Sequence, residues 1–529
     1  MIYFIPAWYS GNTFKENEQE WYKRRLQSEV DDTVKQIQLM DRNSIITSNS
    51  ILLNHAPNFR HFLHRQGLLH SNYWSTFDAI QKIKIKRPAV FSYHDLSWPN
   101  EIEFIYSPFC ISAYLEGKKY AQIDFGEDGN MIQIDMYQND MISRRNIYDD
   151  RGFLSSTIVY RNGKWVYEQY LNEKGTWMIC HYNDGHVDIN TKENKYLIEY
   201  KGTYLEYPYL KTRYNSLEEV IKEVLTTYLK LSSKKDIFVI AMHNLHSNLL
   251  LDVLSEKKMV LSFYKDRCVL NNNEAAINLV KNAKAIVVDS NDTYKKSNLL
   301  EQDCKNKTYN IPPFDCRVDF GISQQLKEQN ILLAVDSLSD EVYEKIIVIL
   351  MNYMMTNKNV RVNLFTRNST WNIENRLLEN TRNILDKYGF DPDYARKEVK
   401  SLAENDLEEE VPVLFYVKQC VDELSVSTCL KAQRLVIDMG LESDLFLQIG
   451  SISMGIPQIV RRRTEYVIDY KNGRVINKLS LLDGILHFYL DTLGNWNDAM
   501  IASYEIGKQF SSDNLVKWWK GVIDYVEQN

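Results

Sequence analysis

Few side chains in this sequence are spaced for chemistry, and most of those sit where a strand gives way to a helix. His243-Asn244-Leu245-His246 follows an apolar run, where a histidine could act as acid, base or sugar contact. Polar residues just past a strand are more often helix caps, and that reading is favoured here. His94-Asp95 suggests a pair, yet no nucleophile stands beside it. His61 and His64 have helical spacing, but no carboxylate or cysteine completes a metal set. Glu442 occupies a loop before an apolar helical stretch, and a lone loop glutamate is usually a solvated group or a cap. Two basic clusters remain, Lys82–Arg87 and Arg461-Arg462-Arg463. Alternation makes the first a solvated strand face. The arginine triple is the better candidate for an acidic partner or an anionic lipid surface. No glycine-rich phosphate loop occurs. No residue is assigned a catalytic, metal-binding or cofactor-binding role.

The elements that would position these residues follow from periodicity. Residues 1–8 read as a strand ended by Pro6, and a charged amphipathic helix is predicted from about Lys15 to Met40. A strand is predicted at Ala89–Tyr93. From Ile102 to about Tyr209 the period becomes two, with Asp128-Gly129, Asn162-Gly163, Lys174-Gly175 and Asp184-Gly185 between alternating runs. That pattern predicts an antiparallel meander of some eight strands. Helical periodicity returns at Ser216, whose spacing to Glu219 suits a capping box. Strands at Ile237–Ala241, Val260–Phe263, Ala285–Val288 and near Tyr309 then alternate with helices, predicting a parallel sheet. A second such series runs through Ile331–Val335, Val360–Phe365, Val411–Val417, Leu435–Ile437 and Gln458–Val460. In its last turn Ser443 is the expected N-cap, with Asp444 in the first turn, and Gly455 and Pro457 stop the helix. The tail from Trp496 to Asn529 is helical.

The bulk properties exclude several classes. At 529 residues the chain needs more than one core. A formal charge of −7 argues against nucleic acid. Seven scattered cysteines fit a reducing cytosol better than a disulfide framework. No run reaches the ~18 apolar residues needed to span a bilayer. The opening Met-Ile-Tyr-Phe-Ile-Pro-Ala-Trp lacks the shape of a signal peptide. A cytoplasmic protein is expected.

Residues 435–460 resemble the nucleotide-sugar site of glycosyltransferases with the GT-B fold. That family shows Glu-Gly-Phe-Gly-Leu, then Leu-Glu-Ala-Met-Ala, then Gly-Thr-Pro. Gly455-Ile456-Pro457 matches the last corner, which puts Glu442 on the first carboxylate and Gly450 on the second, the ribose-binding one. The donor domain of that family also opens with Gly-Arg-Leu and a later Lys that neutralise the diphosphate. Here Ser337 takes the Arg position and Val342 roughly the Lys position, among Asp336, Asp340 and Glu341. The resemblance therefore implies a vestigial donor cleft made of Ser337, Val342, Glu442 and Gly450, with no catalytic residue and no cofactor.

A GT-B-like frame, an inserted meander and a ruined donor site together resemble the first-member family of the accessory secretory proteins of Gram-positive cocci. This implies an α/β fold with two Rossmann-like domains. The first is split into 1–101 and 210–322 by an antiparallel β-meander domain at 102–209. A degenerate donor domain at 323–500 and a C-terminal helix at 501–529, crossing back to the first domain, complete the layout. It further implies a non-catalytic scaffold for export of glycosylated serine-rich-repeat adhesins. The implied partners are the second and third accessory secretory proteins, a SecA-type motor and the adhesin itself. The site would be cytoplasmic, at the membrane face where anionic lipid is met. The alternatives are an active nucleotide-sugar glycosyltransferase, or a lectin-like module that binds GlcNAc on the adhesin.

Overall fold

The computed structural model describes residues 1–23, 31–43, 48–271, 273–397 and 411–528. Two parallel sheets and one large antiparallel sheet make up its frame. The first parallel sheet has seven strands, in the order Thr308–Asn310, Ala285–Val288, Lys258–Phe263, Ile237–Ala241, Ile2–Ile5, Ser48–Leu52 and Asn72–Ser75. Its central strands are apolar on both faces because helices cover both sides. Ile2 pairs with Ile237 and also with Ser48, so the sheet is closed across a long insertion.

That insertion is a ten-stranded antiparallel sheet running from Glu103–Tyr106 to Val187–Ile189, with Arg213–Tyr214 as the far edge. The Asx-Gly and Lys-Gly corners turn it: Gly129, Gly163, Gly175 and Gly185 all have φ between +73° and +95°. The hairpin Lys195–Tyr200/Thr203–Pro208 leaves this sheet and forms a sheet of its own. Tyr196 and Ile198 draw it away, since both are buried in the core of the first lobe. A buried ion cluster fixes the meander to that lobe. Arg60 Nε donates to Asp150 Oδ1 at 2.5 Å and Arg60 Nη2 to Asp149 Oδ1 at 3.2 Å, while Arg151 joins Asp149 to Asp78.

The second parallel sheet has six strands, in the order Phe415–Gln419, Val360–Thr366, Gln329–Ala334, Gln433–Asp438, Gln458–Val460 and Gly473–Val475. The tail is two helices, Leu493–Gln509 and Ser512–Gln528. The second returns to the first lobe, where Leu515, Trp519, Val522 and Val526 complete a core with Phe4, Val34, Ile37 and Val260.

Several local expectations need correction: Lys82–Arg87 forms no strand, and the strand expected at Val411–Val417 is Phe415–Gln419. The first long helix spans Asp32–Arg42 and does not begin near Lys15, because the Asp31 carboxylate caps the Thr33 and Val34 amides and fixes the start there. Residues 24–30 of the expected helix lie outside the described residues. No strand forms at Ala89–Tyr93; Ser92 instead caps a single turn at Tyr93–Asp95, with Asp95 closing the capping box. Ser216 does cap the Leu217–Lys230 helix, but Glu219 turns back to Asn215 and not to Ser216.

Candidate functional site

Between the lobes, the N-terminus of the Leu445–Ser453 helix faces Lys265, Asp289 and Lys296 of the first lobe. Such an end carries free amides and a positive dipole, and so attracts an anion. Here the anion belongs to the chain itself. Asp444, and not Ser443, is the N-cap, and its Oδ1 accepts from the Leu447 amide at 3.0 Å. The aspartate wins because Arg367, from the end of the Val360–Thr366 strand, pairs with it: Nε to Oδ2 at 2.5 Å and Nη2 to Oδ1 at 3.3 Å. Arg367 also lies 5.7 Å from the ring centroids of both Phe365 and Phe446. Burial alone would raise the Asp444 carboxyl, but the Arg367 guanidinium and the Leu447 amide outweigh it and hold it below the usual range.

The surroundings carry several carboxylates, faced by Lys265 and Lys296 of the other lobe. Asp336 accepts from the Arg367 amide at 2.6 Å and from the Thr366 hydroxyl. Burial, with the neighbouring Asp444 charge, pushes Asp438 up to about 6. Burial also lifts Glu442, and a hydrogen bond to Asp266 of the facing lobe adds to the effect. A diphosphate entering this cleft would meet those carboxylates as well as Lys265 and Lys296 of the facing lobe, with the Arg367 guanidinium already paired.

Ser337 and Glu442 are brought together. Ser337 Oγ donates to the Glu442 carbonyl at 3.3 Å and fills the space over Gly440, where an added Cβ would collide with the serine hydroxyl. Val342 is in the first turn of the Asp340–Thr356 helix, with its amide bonded to Ser339 Oγ, and it packs against the core of the second lobe. Gly450 faces the preceding helix, where a Cβ would come within 2.8 Å of Leu430 Cδ1. Its lack of a side chain permits that approach. The arginine triple is divided: Arg462 bridges to Asp292 of the other lobe at 2.8 Å, while Arg463 is exposed. Glu465 adds a second bridge by accepting from the Asn291 amide at 2.9 Å.

On the opposite wall His243 is the N-cap of the Asn244–Val253 helix. Burial lowers it to about 4 and His246 to about 3. His246 is held between the Tyr9 hydroxyl (2.7 Å) and the Ala241 carbonyl (2.6 Å). Both rings are neutral and fixed in place; His243 is the cap, while His246 lies inside the helix. A recess of about 520 Å³ lies there, lined by Trp8, Glu16, Asp31, Phe62, His243 and Glu442 among others. No group of three metal-ligating side chains occurs among the described residues. Arg367 was not singled out by sequence reasoning; its position just past a strand of the second series was the available signal.

Residues 1–525 match the family of the accessory Sec system protein Asp-one. A relative of that description from Staphylococcus aureus is 31% identical over 529 residues, covering 99% of both chains. One from Streptococcus gordonii is 30% identical over 534 residues, covering 98% of both. Among solved structures, the complex of accessory secretory proteins 1, 2 and 3 from Streptococcus pneumoniae contains a chain with TM-score 0.80 and 28% identity over the full length of both. The pneumococcal O-GlcNAc transferase GtfA, in complex with UDP and GlcNAc, has TM-score 0.68 at 12% identity and shares the GT-B fold.

Proposed function

Because the chain belongs to the Asp-one family of accessory Sec system proteins, we propose that it serves adhesin export as a non-catalytic, glycosyltransferase-like scaffold. It assembles with other accessory secretory proteins, as the related chains in solved complexes do. In this reading the assembly sits in the cytoplasm and presents a glycosylated serine-rich-repeat adhesin to a SecA-type motor at the membrane. No helix among the described residues is long and apolar enough to cross a bilayer, which fits a peripheral role.

The observation that carries the non-catalytic reading is the Asp444–Arg367 pair. By the GT-B resemblance a donor diphosphate would sit at this helix N-terminus, and the Asp444 carboxylate that caps it supports the reading that no donor is held there. Ser337, Val342 and Gly450 supply no charge that would compensate. Calorimetry with UDP and UDP-GlcNAc at millimolar concentration, alongside co-purification with the second and third accessory proteins, tests this. The expected result is assembly with neither nucleotide binding nor sugar transfer. Sugar transfer or hydrolysis of the donor would overturn the reading.

A further inference from the structure

The meander ends in two very unlike edges. One is Arg213–Tyr214, two residues long and so nearly useless as a template. The other is Glu103–Tyr106, which pairs with Cys110–Leu115 in an unbroken register, Glu103 opposite Tyr114 through Tyr106 opposite Ile111. The Ser107 amide donates to the Cys110 carbonyl at 3.1 Å, so positions 107 and 110 form a hydrogen-bonded pair. Alternation then turns the amides and carbonyls of Phe104 and Tyr106 outward, and among the described residues they have no backbone partner on that side. The strand has no proline, lysine or bulge, the usual guards of an open edge. Ile105 is 55% and Tyr106 63% exposed.

Two further features say what kind of chain fits. Glu101 and Glu103 are both exposed and put negative charge on the edge. Beyond the turn, Phe109 stacks on Trp21 with an interplanar angle of 12°. Together they wall a cleft of about 1180 Å³ whose far side is Trp371, Gln419 and Val421 of the second lobe. Another strand can replace the water on an edge of outward amides with a full ladder of main-chain bonds, and the aromatic cleft continues the path for apolar side chains beyond it.

We propose that the Glu103–Tyr106 edge accepts an extended, basic segment of a partner protein as an eleventh strand, with neighbouring apolar residues of that segment lying in the Trp21–Phe109–Trp371 cleft. This rests on the reading that the chain works within a multiprotein assembly.

Hydrogen exchange, read by mass spectrometry on peptides spanning residues 102–109, is compared between the isolated chain and the co-purified accessory complex. Exchange is expected to slow at least tenfold in the complex. Tyr106→Pro, which removes an outward amide where proline is tolerated, and Glu103→Lys are each expected to weaken assembly tenfold or more. Circular dichroism and unchanged exchange at residues 237–263 serve as fold controls. A complex that forms with 102–109 unprotected, or that tolerates both substitutions, overturns the docking edge and leaves the scaffold reading standing. Failure of the wild-type chain to form any complex overturns both. A homodimer of the chain alone that Tyr106→Pro dissolves would overturn the assignment to a foreign partner.

Discussion

Removing the carboxylate that fills the helix end should convert a closed anion site into an open one. Asp444→Ala deletes an N-cap, at a cost of ~1 kcal/mol. It also strips Arg367 of a charge-assisted hydrogen bond at 2.5 Å between groups only 17% and 21% exposed, a loss on the order of 1.5–3 kcal/mol. Together the variant should be about 2–4 kcal/mol less stable, read as a lower denaturant midpoint with unchanged slope. What it leaves behind is a free guanidinium beside unsatisfied helix amides. Inorganic phosphate should bind there and recover about 2.7 kcal/mol when present at a hundredfold excess over its dissociation constant. Sodium chloride at matched ionic strength should recover less. The wild-type chain, with Asp444 in place, should gain little from phosphate. If phosphate stabilises wild type and variant equally, the helix end was never occupied by Asp444 and the reasoning fails.

Two other outcomes follow from buried charge. Arg60→Ala leaves Asp150 without its ion-pair partner in the joint between meander and first lobe, while Asp149 keeps Arg151, so it should cost about 3–5 kcal/mol and speed amide exchange over residues 147–161; a loss below ~1 kcal/mol would refute that role. Asp438 is raised to about 6 in the folded chain, so the native state holds its proton more tightly than the unfolded one between pH 4 and 6 and loses stability as pH rises through that window. Asp438→Asn should therefore be more favourable relative to wild type at pH 7 than at pH 4.5, and the reverse order in paired denaturation curves would exclude this account.

How much of this was legible beforehand depended on how local each signal is. Ile237–Ala241 and Ala285–Val288 are unbroken apolar runs, and a strand buried on both faces has no other way to read. The Asx-Gly corners announced their turns because a φ near +75° favours glycine. The start of the first long helix was missed because residues 15–31 carry the charge pattern of a helix, while the deciding contact, Asp31 accepting from Trp8 Nε1, comes from 23 residues away. Asp444 and Ser443 are equally good caps by type. Only Arg367, 77 residues earlier, separates them, and no local pattern contains that pairing. Gly450 was singled out as a lost carboxylate, whereas its packing against Leu430 depends on how two helices meet.

The pairing of Ile2 with Ile237 has a consequence for how the chain is made. The amino group of Met1 meets Asp236 across a separation of 235 residues, so the opening strand has no neighbour on that side until nearly half the chain has left the ribosome. At about 5–20 residues per second that wait lasts roughly 10–50 s. Even then the apolar faces of Val34, Ile37 and Val260 stay uncovered until Trp519 and Val526 have been made and swing back over them. Nascent chains of this protein thus present a greasy, half-built lobe, a natural substrate for chaperones, until the Ser512–Gln528 helix has been made, and a chain cut before that helix would leave the lobe unsealed.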